Sequence, residues 1–304
     1  MQGNERTKTR YYNLLPENRC FVWLLTGLAI IAASLFTATT LLQTSDTTFL
    51  CPLTTKTRFA SAQQSTAATT TPLQLRAILH YATSHVVPQQ SLSEITITFD
   101  VFKSLQHRPL NFLVFGLGHD SLMWASLNPT GTTLFLEEDP KWFHTILAAA
   151  PDLHAHTVRY RTQLQEADEL LQHYRKEEAC WPARATLKGN DKCRLALHDL
   201  PEEVYEREWD LVMIDAPRGY FAEAPGRMAA IFSAAVMARG RKGSGVTHVF
   251  LHDVNRRVEK LYAEEFLCRK NLVKGVGRLW HFQIPAVPNT TAVVPDHVDA
   301  HRFC

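Results

Sequence analysis

From about residue 73 onward the chain alternates short runs of apolar residues with longer stretches whose apolar positions recur at helical spacing. The stretch LQLRAILHYATSH predicts a first helix. Residues 111–115 predict a strand, which runs into Gly116-Leu117-Gly118 and then a helix through Ser121-Leu122-Met123-Trp124. Asn128-Pro129-Thr130-Gly131 carries the turn chemistry that ends that helix. Further strands are expected over 133–136, 155–160, 210–214 and 247–251, with helices over 163–176, 227–238 and 257–267 and a last apolar stretch over 277–284. Strand and helix in alternation predict a parallel sheet covered on both faces, so the fold class is α/β.

The N-terminal region follows a different pattern. No charged residue occurs from Cys20 to Ser45, and FVWLLTGLAIIAASLF is almost wholly apolar. Roughly 20 helical residues cross a hydrocarbon core about 30 Å thick, so residues 21–43 read as a transmembrane signal anchor. Arg6, Lys8, Arg10 and Arg19 precede the run and only Lys56 and Arg58 follow closely, which predicts a cytosolic tail over 1–20 and a luminal body. A cleaved signal peptide is the alternative, although the run is long for one and lacks a clear cleavage motif. Residues 44–72 turn to Ser, Thr, Ala and Gln, a composition too poor in large apolar side chains to form a core, and read as a flexible stem. Residues 73–304 are then the luminal catalytic domain.

Composition narrows the classes. The 304 residues are 45% hydrophobic and 20% charged, with 32 basic against 30 acidic side chains and a formal net charge of +2. A wholly disordered chain and a dedicated nucleic-acid binder are both excluded on those values. Of the 6 cysteines, Cys20 lies at the membrane edge, while Cys51, Cys180, Cys193, Cys268 and Cys304 follow it, and a luminal body predicts oxidised pairs. Cys180 and Cys193 bracket a polar insert and make the most plausible local bridge, with the connectivity of the others open. Asn289-Thr290-Thr291 is a glycosylation sequon in a Pro-rich tail.

In open parallel sheets ligands sit beyond the carboxyl ends of the strands. Glycines follow the first expected strand, and acids follow the second, fourth and fifth. Gly116 and Gly118 allow a tight turn and close approach of a ligand, and Glu137, about twenty residues on, stands where a carboxylate accepts both ribose hydroxyls of a nucleoside. His119 and Ser121 occupy places where a dinucleotide fingerprint needs glycine, which favours a nucleoside without pyrophosphate; S-adenosylmethionine is such a ligand. Asp215 and Asp253 end WDLVMID and THVFLHD and should meet at the sheet edge, so Asp215, His252 and Asp253 are the candidates for removing a hydroxyl proton. The bland alternative makes the acids helix caps and His252 a satisfied core imidazole. Asp215 and Asp253 also admit a divalent metal, as in catechol-type methyltransferases, with Asn255 as a third ligand set two residues beyond Asp253. Arg218 and Arg227, on either side of Tyr220, are the candidates for gripping an acidic acceptor, with the tyrosine stacking on a sugar face. Arg239-Gly240-Arg241-Lys242-Gly243 is expected to be a solvated turn at the opposite end of the sheet.

The runs NFLVFGLGHDSLMWASLNPTGTTLFLEEDPKW, DLVMIDAPRGYFAEAPGRMAAIFSAAVMAR, THVFLHDVNRRVEKLYAEEFLC and GRLWHF resemble the plant DUF579 polysaccharide-biosynthesis family over about residues 73–285. The resemblance implies a seven-stranded Rossmann-like S-adenosylmethionine-dependent methyltransferase fold. It further implies a single-pass type II Golgi membrane protein acting on O4 of glucuronic acid side groups. Donor binding would fall to Gly116, Gly118 and Glu137, and the acceptor or base role to Asp215, His252 and Asp253. LNPTGTTLFLEEDP, FLHDVNRRVE and the terminal Arg302-Phe303-Cys304 are most similar to the arabinogalactan methyltransferases of that family, although Thr130 replaces a glycine usual in the turn. A glucuronoxylan acceptor and a non-catalytic assembly factor of the same fold are the competing expectations.

Overall fold

A computed structural model describes residues 70–287 and 301–304. The expected anchor, cytosolic tail, most of the stem, Cys51 and the Asn289 sequon lie outside the described residues. Among the described residues no helix is long and apolar enough to cross a membrane.

The body begins one residue earlier than expected. Thr71 caps helix α1 (Pro72–Thr83) in a reciprocal capping box with Gln74, and Pro72 supplies a preset first helical residue. The second helix, α2 (Leu92–Leu105), was not expected, because Ile95, Thr96, Ile97 and Thr98 read as β-branched. Its start signal is nevertheless strong: Ser91 and Glu94 form a second capping box.

Seven strands follow: β1 (Asn111–Phe115), β2 (Thr132–Glu137), β3 (Ala155–Thr157), β4 (Leu211–Ile214), β5 (Val246–Leu251), β6 (Leu272–Val276) and β7 (Leu279–Pro285). Their order across one sheet is β3-β2-β1-β4-β5-β7-β6. The first five run parallel, and β7 is antiparallel to β5 and to β6. The single apolar stretch expected over 277–284 is therefore the second half of a hairpin whose first strand is a mostly exposed edge. Likewise the third strand stops at Thr157 rather than residue 160.

Alternation along the strands divides the core into two layers. Phe112, Val114, Phe135, Met213 and Phe250 pack with Ile97, Val101 and Phe102 of α2, with Leu122 and Trp124 of α3 (Ser121–Ser126), and with Ile146 of α4 (Pro140–Ala149). Leu113, Phe115, Leu134, Val212, Ile214 and Leu251 face the other layer. There they meet α5 (Ala167–Lys176), α7 (Met228–Arg239) and α8 (Arg257–Tyr262), while the short α6 (Glu202–Glu206) contributes Val204. Helix α7 buries nine of its residues, so it is apolar nearly all round, as a helix inside a layered core must be.

Two disulfides tie this second layer. Cys180–Cys193 is bonded as expected, and Cys268 pairs with Cys304. The second bond brings Phe303 into the core against Tyr174, Phe232 and Phe266. The expected solvated basic turn is a correction. Arg239 lies 4.9 Å over the Phe303 ring, and Arg241 is nearly buried between Asp210 and Glu208. Burial lowers the Arg239 guanidinium to about 10.

Candidate active site

One cavity of about 620 Å³ opens at the carboxyl ends of β1, β2, β4 and β5. Its lining includes Gly116, Gly118, Glu137, Asp215, Arg218, Tyr220, Arg227 and Asp253. Of the site residues expected from the sequence, His252 and the candidate metal ligand Asn255 are off this wall.

The donor-side wall is backbone. The Gly116 N–H still belongs to the sheet, donating to Leu136 O at 2.8 Å, but its φ of +123° is left-handed territory suited to glycine. A Cβ there would stand 3.1 Å from the Ala216 Cβ, a tight approach between this turn and the end of β4. The Gly118 N–H donates to the Ser121 Oγ at 2.8 Å, which starts α3. Glu137 ends β2 facing this turn: its Oε2 accepts from Leu117 N at 3.0 Å and its Oε1 from Asp139 N at 2.9 Å. Burial and the neighbouring Glu138 charge push the Glu137 carboxyl up to about 7 despite those two donors. Each of its oxygens keeps a second lone pair for a ligand hydroxyl.

The opposite wall is an acid–arginine network. Asp215 Oδ1 lies 2.8 Å from His252 Nδ1, and Asp215 Oδ2 accepts from the Gln90 amide at 3.1 Å. Burial works against ionisation of Asp215, but the His252 hydrogen bond, the Arg227 charge and Gln90 outweigh it and hold its carboxyl well below the usual range. His252 is 0% exposed, and its Nε2 stands 3.8 Å from Glu94 Oε1. That glutamate, the α2 capping residue, also accepts from Arg278 N at 2.6 Å. The sequence expectation that Asp215, His252 and Asp253 converge is met: their ligand atoms lie within 4.8 Å of one another.

Their surroundings, however, are not alike. Asp253 is 3% exposed and holds φ at +61°. Three arginines surround it: Arg227 at 2.9 Å, Arg256 at 3.0 Å and Arg278 at 2.6 Å. A carboxylate so enclosed holds the loop after β5 in place and is badly placed to take a sugar proton. His252, wholly buried, is outside the lining and meets it at Asp215. Arg227 is 4% exposed; it donates to the carbonyl oxygens of His252 and Asp215, so it organises the wall instead of gripping an acceptor. Its Nη2, 3.3 Å from Asp215 and 2.9 Å from Asp253, already pairs a positive charge with both acids. Asn255 is exposed and is not part of the lining. These residues, so arranged, do not fit the expected metal.

Arg218 and Tyr220 stand at the rim. Arg218 is 45% exposed and pairs with Glu138 and Asp139, and Tyr220 is 67% exposed. Arg256, 30% exposed, one of the basic residues that follow the fifth strand, joins them in the lining. Asp120 was missed entirely. It lines the cavity beside the glycine turn, with one oxygen accepting from Trp124 Nε1 at 2.8 Å. Burial and then the Asp215 charge push its carboxyl up to about 6 against that hydrogen bond. Its sequence signal, an acid directly before the helix that follows the glycine turn, reads first as a helix cap, yet the structure shows no capping hydrogen bond from its side chain.

The strand order defines a doubly wound α/β fold whose crevice opens at the reversal between β1 and β4. Comparison with known proteins narrows this. The family described as IRX15/IRX15L/GXM matches residues 93–282, and the chain belongs to that family. It is 58% identical to Arabinogalactan O-methyltransferase 1 of Arabidopsis thaliana over 296 residues, covering 96% of this chain and 99% of that protein. Identity to Arabinogalactan O-methyltransferase 2 of the same plant is 56%, over 93% of this chain and 94% of the relative. Glucuronoxylan 4-O-methyltransferase 3, also from Arabidopsis thaliana, is 48% identical over 71% of each chain.

Proposed function

We propose that this protein transfers a methyl group from S-adenosylmethionine to O4 of glucuronic acid residues on arabinogalactan glycans. The observation that carries the reading is a single cavity joining the Gly116–Gly118 turn and Glu137 to a wall bearing Asp120, Asp215 and arginines. Near-full-length identity to two arabinogalactan O-methyltransferases supports the acceptor.

The residues fit the donor. Gly116 leaves the space that a Cβ would fill, Glu137 offers a lone pair from each oxygen to a ribose, and the ionised Asp215 complements a cation. The bound donor supplies an electrophilic methyl on a sulfonium. Asp120, whose carboxyl titrates near neutrality, accepts the hydroxyl proton as the new carbon–oxygen bond forms. Asp215 remains charged because His252 and Arg227 hold it so, and Asp253 fixes the arginines around it. The acceptor carboxylate falls to Arg218 and Arg256 at the rim, and Tyr220 offers an exposed ring for a sugar face. Position and exclusion of water contribute much of the rate.

The apolar run after Arg19 and its basic flank support a type II anchor in the Golgi membrane with this body luminal, and the two disulfides support an oxidising compartment. Incubating the protein with labelled donor and either glucuronic acid-bearing arabinogalactan or glucuronoxylan tests the reading. Label is expected on O4 of the arabinogalactan glucuronic acid. Transfer only to xylan would reassign the acceptor, and none to either would remove the activity.

A further inference from the structure

The outer edge of the sheet carries a second group of potential ligands, none of which lines the crevice. His154 immediately precedes the edge strand β3, and His156 is its middle residue, paired with Leu136 of β2. Residues two apart on a strand share a face. Both imidazoles accordingly reach the same side, where α6 presents Glu203. His154 Nε2 lies 2.9 Å and His156 Nε2 2.7 Å from one and the same atom, Glu203 Oε1. The two rings are 5.4 Å apart between centroids, and one ligand atom from each of the three residues falls within a 4.8 Å span. All three side chains are partly open to solvent.

We propose that His154, His156 and Glu203 form a binding site for a transition-metal dication of the zinc type, which fastens edge strand β3 to helix α6. Two imidazole nitrogens and one carboxylate oxygen are a donor set that zinc takes, with water in the remaining position. Magnesium and calcium favour all-oxygen cages, so this set selects against both. Metal–ligand bonds of about 2.0–2.1 Å at tetrahedral angles put the ligand atoms roughly 3.3 Å apart. Opening the observed 2.7 and 2.9 Å separations by about half an ångström makes the room. Each ring carries its proton on Nδ1 in the bound form, so the two hydrogen bonds to Glu203 are exchanged for coordination bonds.

The position gives the site a purpose. Between β3 and β4 the chain makes its longest connection among the described residues, from 158 to 210, and α6 lies near the end of it. The Cys180–Cys193 bond closes one loop of that connection. A metal at His154, His156 and Glu203 would pin its far end to the sheet.

The test titrates the full-length protein, stripped with chelator and dialysed, with zinc chloride by calorimetry and by thermal unfolding. The comparisons are a His154→Gln/His156→Gln variant and, as a milder change that keeps side-chain size, Glu203→Gln. Zinc at about a hundredfold over its dissociation constant should raise the wild-type Tm by about 5 °C or more. Magnesium should leave it unmoved. Both variants should bind one zinc fewer per chain and lose that shift, and cobalt(II) should show visible d–d absorption in the wild type alone. Methyl transfer by the variants should be unchanged, so failure of the proposed transfer reaction would leave the zinc readout intact. Equal zinc stoichiometry and Tm shift in wild type and variants, or no zinc bound by the wild type, would overturn the site.

Discussion

Two carboxyls displaced upward towards neutrality stand on the cavity wall, and they make separable predictions. Glu137 titrates near 7, and a ribose hydroxyl donates to its ionised form. Donor binding should therefore weaken as pH falls through about 7, with Kd rising up to about tenfold per pH unit below it and staying flat above. Calorimetric titrations across that range check this, and Glu137→Gln should remove the dependence. Asp120 titrates near 6 and must be ionised to take a proton, so kcat at saturating donor should fall as pH drops below about 6. Asp120→Asn should lower kcat about a hundredfold or more while donor Kd holds, a result read from initial rates beside the same titrations. Unchanged kcat would return the proton to Asp215. The convergence of Asp215, His252 and Asp253 was legible from two strands ending in acids. The division of labour among them was not, because it depends on Arg278, some 25 residues beyond Asp253, and on Glu94, far earlier in the chain.

At the scale of elements, legibility followed burial. Strands β1, β2, β4 and β5 are apolar runs hidden on both faces, and their expected bounds differ from the observed ones by a residue or so. Strand β6 was missed because an edge strand carrying Lys274 and Gly275 buries too little to leave an apolar pattern. Helix α2 was missed because its β-branched residues outweighed the Ser91–Glu94 capping signal. The C-terminal residues form an element of another kind, for Phe303 sits among Tyr174, Phe232 and Phe266 beside the Cys268–Cys304 bond. Cys304→Ser should free that segment and lower stability by about 2–4 kcal/mol, measured by denaturant unfolding under oxidising conditions. No change relative to wild type would mean that Phe303 packing alone suffices.

For the whole molecule, charge decides how a polyanionic glycan is met. The chain is near balance, 32 basic against 30 acidic side chains, and most arginines at the crevice are already paired with carboxylates. An acidic polymer is therefore expected to be held through one sugar's contacts at the rim. Such contacts act within a few ångströms, inside the Debye length of about 10 Å at 0.1 M salt, and are weakly screened. The KM for arabinogalactan should consequently rise by no more than about threefold between 0.05 and 0.5 M salt. A protein that neutralises many charges along a polyanion loses affinity by orders of magnitude over a comparable change. Initial rates at fixed saturating donor distinguish the two. A tenfold or steeper rise would show that the acceptor engages an extended basic surface beyond Arg218 and Arg256, and the rim contacts would then be only one end of the binding site.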